Sequence, residues 1–145
     1  MKRLALLGLL VCLSALPALA QGVKITDAFA RATAPGATTG VIYLSLQSPI
    51  DDKLTGAASP AAASAMMHKT TMAGMVMDMD MVSAIDLPAG QIVVLAPGKF
   101  HIMLEGLKHP LVKGSTIALH LTFAHAPAED VSVPVGSLAA EKPGE

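Results

Sequence analysis

Along the chain, short runs of Val, Ile, Leu, Thr and Ala recur every eight to twelve residues. They are divided by the turn-forming stretches "APGATTG", "SPIDD", "LPAGQ", "APGKF" and "VKGST". Regular spacing of brief apolar runs between Gly, Pro and Asp clusters predicts an all-β sandwich or barrel rather than a helical protein. No stretch combines a 3.6-residue period with helix caps. Nine strands are expected: Val23–Ala32, Gly40–Ser48, Asp52–Ser59, Ala65–Thr70, Met75–Val82, Gln91–Ala96, Phe100–Leu104, Thr116–Phe123 and Asp130–Val135.

Alternation within these strands assigns faces, because successive side chains of a strand point to opposite sides. In "TIALHLTF", Ile117, Leu119, Leu121 and Phe123 share one face, so His120 is turned away from the core. In "FHIMLEGL", Phe100, Ile102 and Leu104 supply the apolar face, and His101 and Met103 project together from the other, their Cβ atoms about 7 Å apart. In "GMVMDMDMV", Met75, Met77, Met79 and Met81 fall on every second residue, with Asp78 and Asp80 between the last three. A face bearing carboxylates belongs in water. On that ground alone the methionine face is expected to point inward, as core filler, a role the flexible thioether side chain suits.

Composition and charge narrow the class. The chain opens "MKRLALLGLLVCLSALPALAQ", two basic residues, an apolar run and an Ala-Leu-Ala processing sequence. This predicts a secretory signal peptide over residues 1–20, cleaved after Ala20. A spanning helix would need about 20 apolar residues, so no membrane span is expected in the mature protein. Val11 rather than a small residue precedes Cys12, so a lipid anchor is not expected either. Removal of the signal takes away Lys2, Arg3 and the single cysteine; eight basic and eleven acidic side chains remain, a net charge of −3. The mature chain then has no disulfide and no thiolate ligand. A mildly acidic chain also lacks the Lys and Arg footprint that nucleic acid or anionic lipid requires. The expected organisation is one domain over 21–137 and a short polar, loose tail over 138–145.

Seven of the nine methionines lie within "MMHKTTMAGMVMDMDM", Met66 to Met81, beside His68. Together with "HIM" downstream, the order is His68, ten residues, Met79, twenty-one residues, His101, one residue, Met103. This H-x10-M-x21-H-x-M pattern resembles the signature of the periplasmic copper chaperone family PCuAC. The resemblance extends over nearly the whole mature chain: "ITDAFARATAPGATTGVIYLSLQS" and "LPAGQIVVLAPGKFHIMLEGLKHPL" are similar to that family's opening strands and its most recognisable stretch. "DDKLTGAASPAA" resembles its Asp-Arg-Leu segment, with Lys53 where arginine is usual.

Membership would imply a single cupredoxin-like Greek-key domain in the periplasm, with His68, Met79, His101 and Met103 as ligands of Cu(I). It would also imply delivery of copper toward the binuclear centre of cytochrome c oxidase, the acceptor being an oxidase subunit or another copper chaperone. The chemistry of the donors agrees independently: thioether is soft, neutral and never needs deprotonation, which favours Cu(I) over Zn(II). By chemistry alone Met77 can replace Met79, one pleat away on the same face. Met66, Met67, Met75 and Met81 are open to three roles: filler, a secondary Cu(I) site or a docking surface. Many members of the family carry a His- and Met-containing tail; the ending "GSLAAEKPGE" has neither residue. His109, His120 and His125 read as surface histidines. A blue-copper electron carrier is disfavoured for want of a Cys ligand, and no Cys-His or Ser-His-Asp spacing suggests an enzyme. The remaining rival is an exported β-sandwich that docks a protein partner through a Met-rich edge.

Overall fold

A computed structural model describes residues 22–145. The expected signal peptide, its cleavage site and Cys12 lie outside the described residues. Among the described residues there are ten strands: β1 (Lys24–Arg31), β2 (Thr39–Gln47), β3 (Asp52–Ala58), β4 (Ala62–Ala73), β5 (Val76–Met81), β6 (Ile85–Leu87), β7 (Ile92–Leu95), β8 (Phe100–Leu107), β9 (Thr116–Phe123) and β10 (Glu129–Gly136). The described residues contain no helix.

Seven strands run in the order β4-β8-β2-β1-β10-β9-β3, and the pairing of Ala57 with Ala65 joins β3 back to β4. The sheet is thereby closed, which removes the edges that an open sheet exposes to other chains. Only β1 and β10 pair in parallel; the other ladders are antiparallel. This is the all-β, cupredoxin-like barrel that the spacing of the apolar runs and the family pattern led one to expect. Three strands stand outside the closed ring: β5 on β4, β6 on β3 and β7 on β2.

The interior is aliphatic, as a chain without Trp requires. Ile42, Leu44 and Leu46 of β2, Ile102 and Leu104 of β8, Leu119 and Leu121 of β9 and Val133 of β10 are fully buried. Each set follows the period of two, so alternation in the sequence becomes an inward face in the barrel. Removal of this apolar surface from water is the main stabilising contribution, about 25 cal/mol per Å².

A second, smaller cluster lies on the outside, where Phe29, Tyr43 and Ala140 pack together. Ala140 belongs to the ending expected to be loose. Instead that ending folds back on the barrel: Arg31 Nε donates to the Ala140 carbonyl at 2.8 Å, and Ser137 N–H to a main-chain oxygen of Glu145 at 2.6 Å.

Asp52 pins the loop after β9. Its Oδ1 accepts from the backbone N–H of Lys53 at 2.7 Å and of His125 at 2.9 Å, and its Oδ2 from Ala126 at 2.9 Å. Burial by itself would push this carboxyl up. The three backbone donors and the nearby His125 outweigh it and hold the group below the usual carboxylate range.

Candidate metal centre

The four residues of the sequence pattern come from three strands, and cross-strand register puts them on one face. His68 on β4 stands directly opposite His101 on β8, and Met66 opposite Met103. On the other side of β4, His68 pairs with Met81, Thr70 with Met79 and Met72 with Met77. Residues paired across an antiparallel ladder project to the same side. His68, Met79, His101 and Met103 therefore share one surface with Met66, Met72, Met77 and Met81. That surface is the outside of the barrel, since Met67, Ile102 and Leu104 occupy the alternate positions and lie in the core.

The inward orientation expected for the Met75–Met81 stripe is thus corrected. Every residue of β5 is exposed, Met79 at 49% and Met75, in the turn before it, at 100%. The physical reason is that β5 pairs only with β4 and nothing of the core lies beneath it. Both faces of the hairpin meet solvent, so a carboxylate on one face says nothing about the other. Of the four methionines whose role the sequence left open, Met67 alone is core filler; Met66 is half-buried, and Met75 and Met81 are exposed.

Between the hairpin and the barrel wall lies a hollow of about 280 Å³, lined among others by Met77, Met79, His101, Met103, Tyr43 and Arg31. Met77 and Met79 both reach it, so the alternative between them stays open in the geometry. His68 does not line this hollow itself; its ring is stacked on His101, centroids 5.7 Å apart and planes 13° from parallel. Tyr43 meets His101 edge-on at 6.4 Å and is capped by the Arg31 guanidinium at 5.4 Å from its ring centre.

Although His101 is on the outer face, these neighbours leave it only 4% exposed. Burial holds its imidazole below the ordinary histidine value; the Lys99 carbonyl works the other way, and His68 adds to the depression. The ring is accordingly neutral at neutral pH. Its Nδ1 faces the Lys99 carbonyl at 3.4 Å, a long contact that favours the Nδ1–H tautomer and leaves Nε2 as a lone-pair donor.

One further observation bears on what the site holds. Among the described residues, His68 Nδ1 is the one buried side-chain N or O without a hydrogen-bond partner. A buried polar atom left unmet costs about 1–3 kcal/mol, and native proteins rarely keep one without a use. Two imidazoles, one with an orphaned nitrogen, facing several thioethers constitute a soft, uncharged donor set. No group of three His, Cys, Asp or Glu side chains clusters among the described residues, so a hard-ion site of the usual kind has no counterpart there. Larger hollows occur beside Asp52 and His125, about 380 Å³, and beside β7, about 390 Å³, but neither gathers soft donors.

A cupredoxin-like barrel with His and Met donors converging on its outer wall defines the class of molecule. Residues 23–135 match the model of the LpqE-like family, described as "Putative lipoprotein LpqE-like", and the chain belongs to that family. It is 37% identical over 138 residues to "Putative lipoprotein Lxx21020" of Leifsonia xyli subsp. xyli, covering 90% of this chain and 83% of that protein. Among solved structures it resembles the Cu(I) form of DR1885 from Deinococcus radiodurans, with 32% identity, a TM-score of 0.66, and 86% of this chain and 84% of that one covered. It also resembles the copper-bound PCuAC domain from PmoF2, at 23% identity and a TM-score of 0.69, covering 81% and 95%. At that identity the second likeness speaks for the fold alone: this chain has the fold of PCuAC domains.

Proposed function

We propose that the protein is an exported copper metallochaperone that holds Cu(I) on the outer wall of the barrel through His68, Met79, His101 and Met103. The observation that carries this reading is the convergence of two imidazoles, one with an unpartnered buried nitrogen, and exposed thioethers on one face. The H-x10-M-x21-H-x-M spacing and the likeness to Cu(I)-DR1885 support the same ion. Copper is cargo here: the donors bind and release it, and no catalytic step is assigned.

Each donor suits transient custody. Thioethers and neutral imidazoles add no charge, so the ion is held without the strong field that would retain a hard dication. Met79 is half in solvent, which lets an incoming thiolate or imidazole from an acceptor displace it before the buried His101 lets go. Release toward a binuclear copper centre, an oxidase subunit or a second chaperone then follows relative affinity, about 1.4 kcal/mol per tenfold difference. The domain over 21–137 and export to the periplasm after cleavage at Ala20 complete this reading, and the lipoprotein relatives fit an exported protein.

The test is titration of the apo protein with Cu(I) against a chromophoric chelator, followed by X-ray absorption. Tight uptake with two nitrogen and two sulfur neighbours is expected. A protein that cannot compete for Cu(I) would instead be a docking module.

A further inference from the structure

Apart from the core residue Met67, five thioethers on the β4–β5 hairpin, Met66, Met72, Met75, Met77 and Met81, are not needed by the site just described, and three of them gather at its tip. Met72 and Met77 are directly opposite one another, next to the closing pair Ala73 and Val76. Directly opposed side chains have Cβ atoms about 4.5–5.5 Å apart, well within reach of two flexible thioethers meeting at one atom. The connecting residues are Gly74 and Met75. Gly74 has φ +64°, and Met75 is not among the residues of positive φ, the pattern of a tight two-residue turn with glycine in its first place. The turn leaves Met75 wholly exposed, while Met72 is 60% and Met77 58% exposed.

Such a surface has no explanation in folding. These side chains bury nothing in the core, and the opposite face of the same hairpin carries Lys69, Thr71, Asp78 and Asp80, as a solvated strand should. Large apolar side chains concentrated on a projecting edge mark a contact of some kind. Their chemistry is uniform: sulfur, soft, uncharged, with no carboxylate or imidazole on that side of the tip. Met77 moreover lines the hollow shared with Met79, His101 and Met103, so the tip is continuous with that site.

We propose that Met72, Met75 and Met77 form a second, outer Cu(I) site made of thioethers alone, at which the ion is taken up before it passes along the same face to the histidines. This inference rests on the copper-binding reading of the inner site. Three neutral sulfur donors satisfy a d10 monovalent ion that prefers soft ligands and has no demand for four. Because thioethers do not titrate, the outer site keeps its donors where imidazoles become protonated.

The test is a Cu(I) titration against a chromophoric chelator on three forms of the protein. The wild type takes up two equivalents. Met72→Leu/Met75→Leu, which alters exposed positions outside the core and the inner donors, takes up one and keeps the affinity of the tighter equivalent. His68→Ala/His101→Ala keeps one equivalent, with sulfur as the only neighbour seen by X-ray absorption. A wild type that binds a single Cu(I), or a Met72→Leu/Met75→Leu protein that still binds two, overturns the outer site and leaves the inner one standing. If His68→Ala/His101→Ala still binds two equivalents, the inner assignment fails, while the methionine variant continues to judge the outer site.

Discussion

Strands β8 and β9 are built alike. Each has eight residues, each turns a row of aliphatics inward, and each places a histidine at an outward position, His101 in one and His120 in the other. Yet His101 is buried, stacked on a second imidazole and depressed in pKa, whereas His120 lies open to solvent with its Nδ1 at 2.7 Å from Asp130 Oδ1. The inward faces are interchangeable; the outward faces differ because of what the rest of the chain lays over them. Over β8 lie Tyr43 and the methionine hairpin, over β9 only water and an acidic neighbour. A histidine on a barrel strand gains chemistry from its cover more than from its strand.

The largest expected effects test the sameness of the two inner faces. Leu104→Ala on β8 and Leu119→Ala on β9 each remove a fully buried side chain and should each cost about 2–5 kcal/mol of unfolding free energy in denaturant titrations. A large disparity between them would show that the barrel is not uniformly packed.

The outer faces should then separate sharply. His101→Ala should weaken Cu(I) binding by more than about 100-fold, beyond the loss typical of a mere supporting partner. His120→Ala should leave binding unchanged and shift stability by no more than about 0.5 kcal/mol. Equal effects in a chelator competition would erase the contrast. Acidification sharpens it further. Since burial holds the His101 pKa below its ordinary 6.5, the contribution of that ring to Cu(I) affinity should be lost only once the pH has fallen below this value.

Asp52, which fastens the loop after β9, offers a smaller effect with an opposite origin. Its folded pKa is depressed, so the stability it contributes is fully present above the unfolded value of 3.8 and is lost as the pH falls through the lower folded value. Asp52→Ala should cost about 2–3 kcal/mol near neutral pH, where three backbone donors lose a charged acceptor, and the difference should vanish in strong acid. Copper binding should not change.

Smallest of all is the choice between neighbouring sulfurs. Met79→Leu should reduce Cu(I) affinity by about tenfold, near 1.4 kcal/mol, with Met77→Leu clearly milder. The reverse order in competition titrations would move the ligand one pleat toward the turn. Neither change should affect folding, as both side chains are outside the core.

Most of the barrel could be read from the sequence because its strands obey a period of two. Thr116–Phe123 coincides with β9 at both ends and its division of faces matches the burial found; in Phe100–Leu104 the inward Ile102 and Leu104 are buried as expected, but the outward His101 is buried too, beneath its cover. β6 escaped notice because three residues, Ile85–Leu87, are too few to show alternation. β4 is twelve residues rather than six: at its start the run "AAASA" has little strand preference of its own and is held by ladders to β3 and β8, and at its end residues 71–73 are held by β5. The misplaced methionine stripe has a different cause. Alternation reports a core only when one lies beneath the strand, and a hairpin that outruns its barrel has none. Opposition of Met66 to Met103 was out of reach for another reason: it depends on register between β4 and β8, strands far apart in the chain. The spacing pattern named the four inner candidates without it.

The two-residue turn at Gly74 and Met75 also constrains how this hairpin can change over evolutionary time. Adding or deleting a single position in β5 while keeping the turn would invert the parity of everything beyond it, carrying the sulfurs to the reverse side and bringing aspartates toward the imidazoles. Gains or losses in pairs would preserve the arrangement. Length variation among homologues in this segment should therefore be counted in twos.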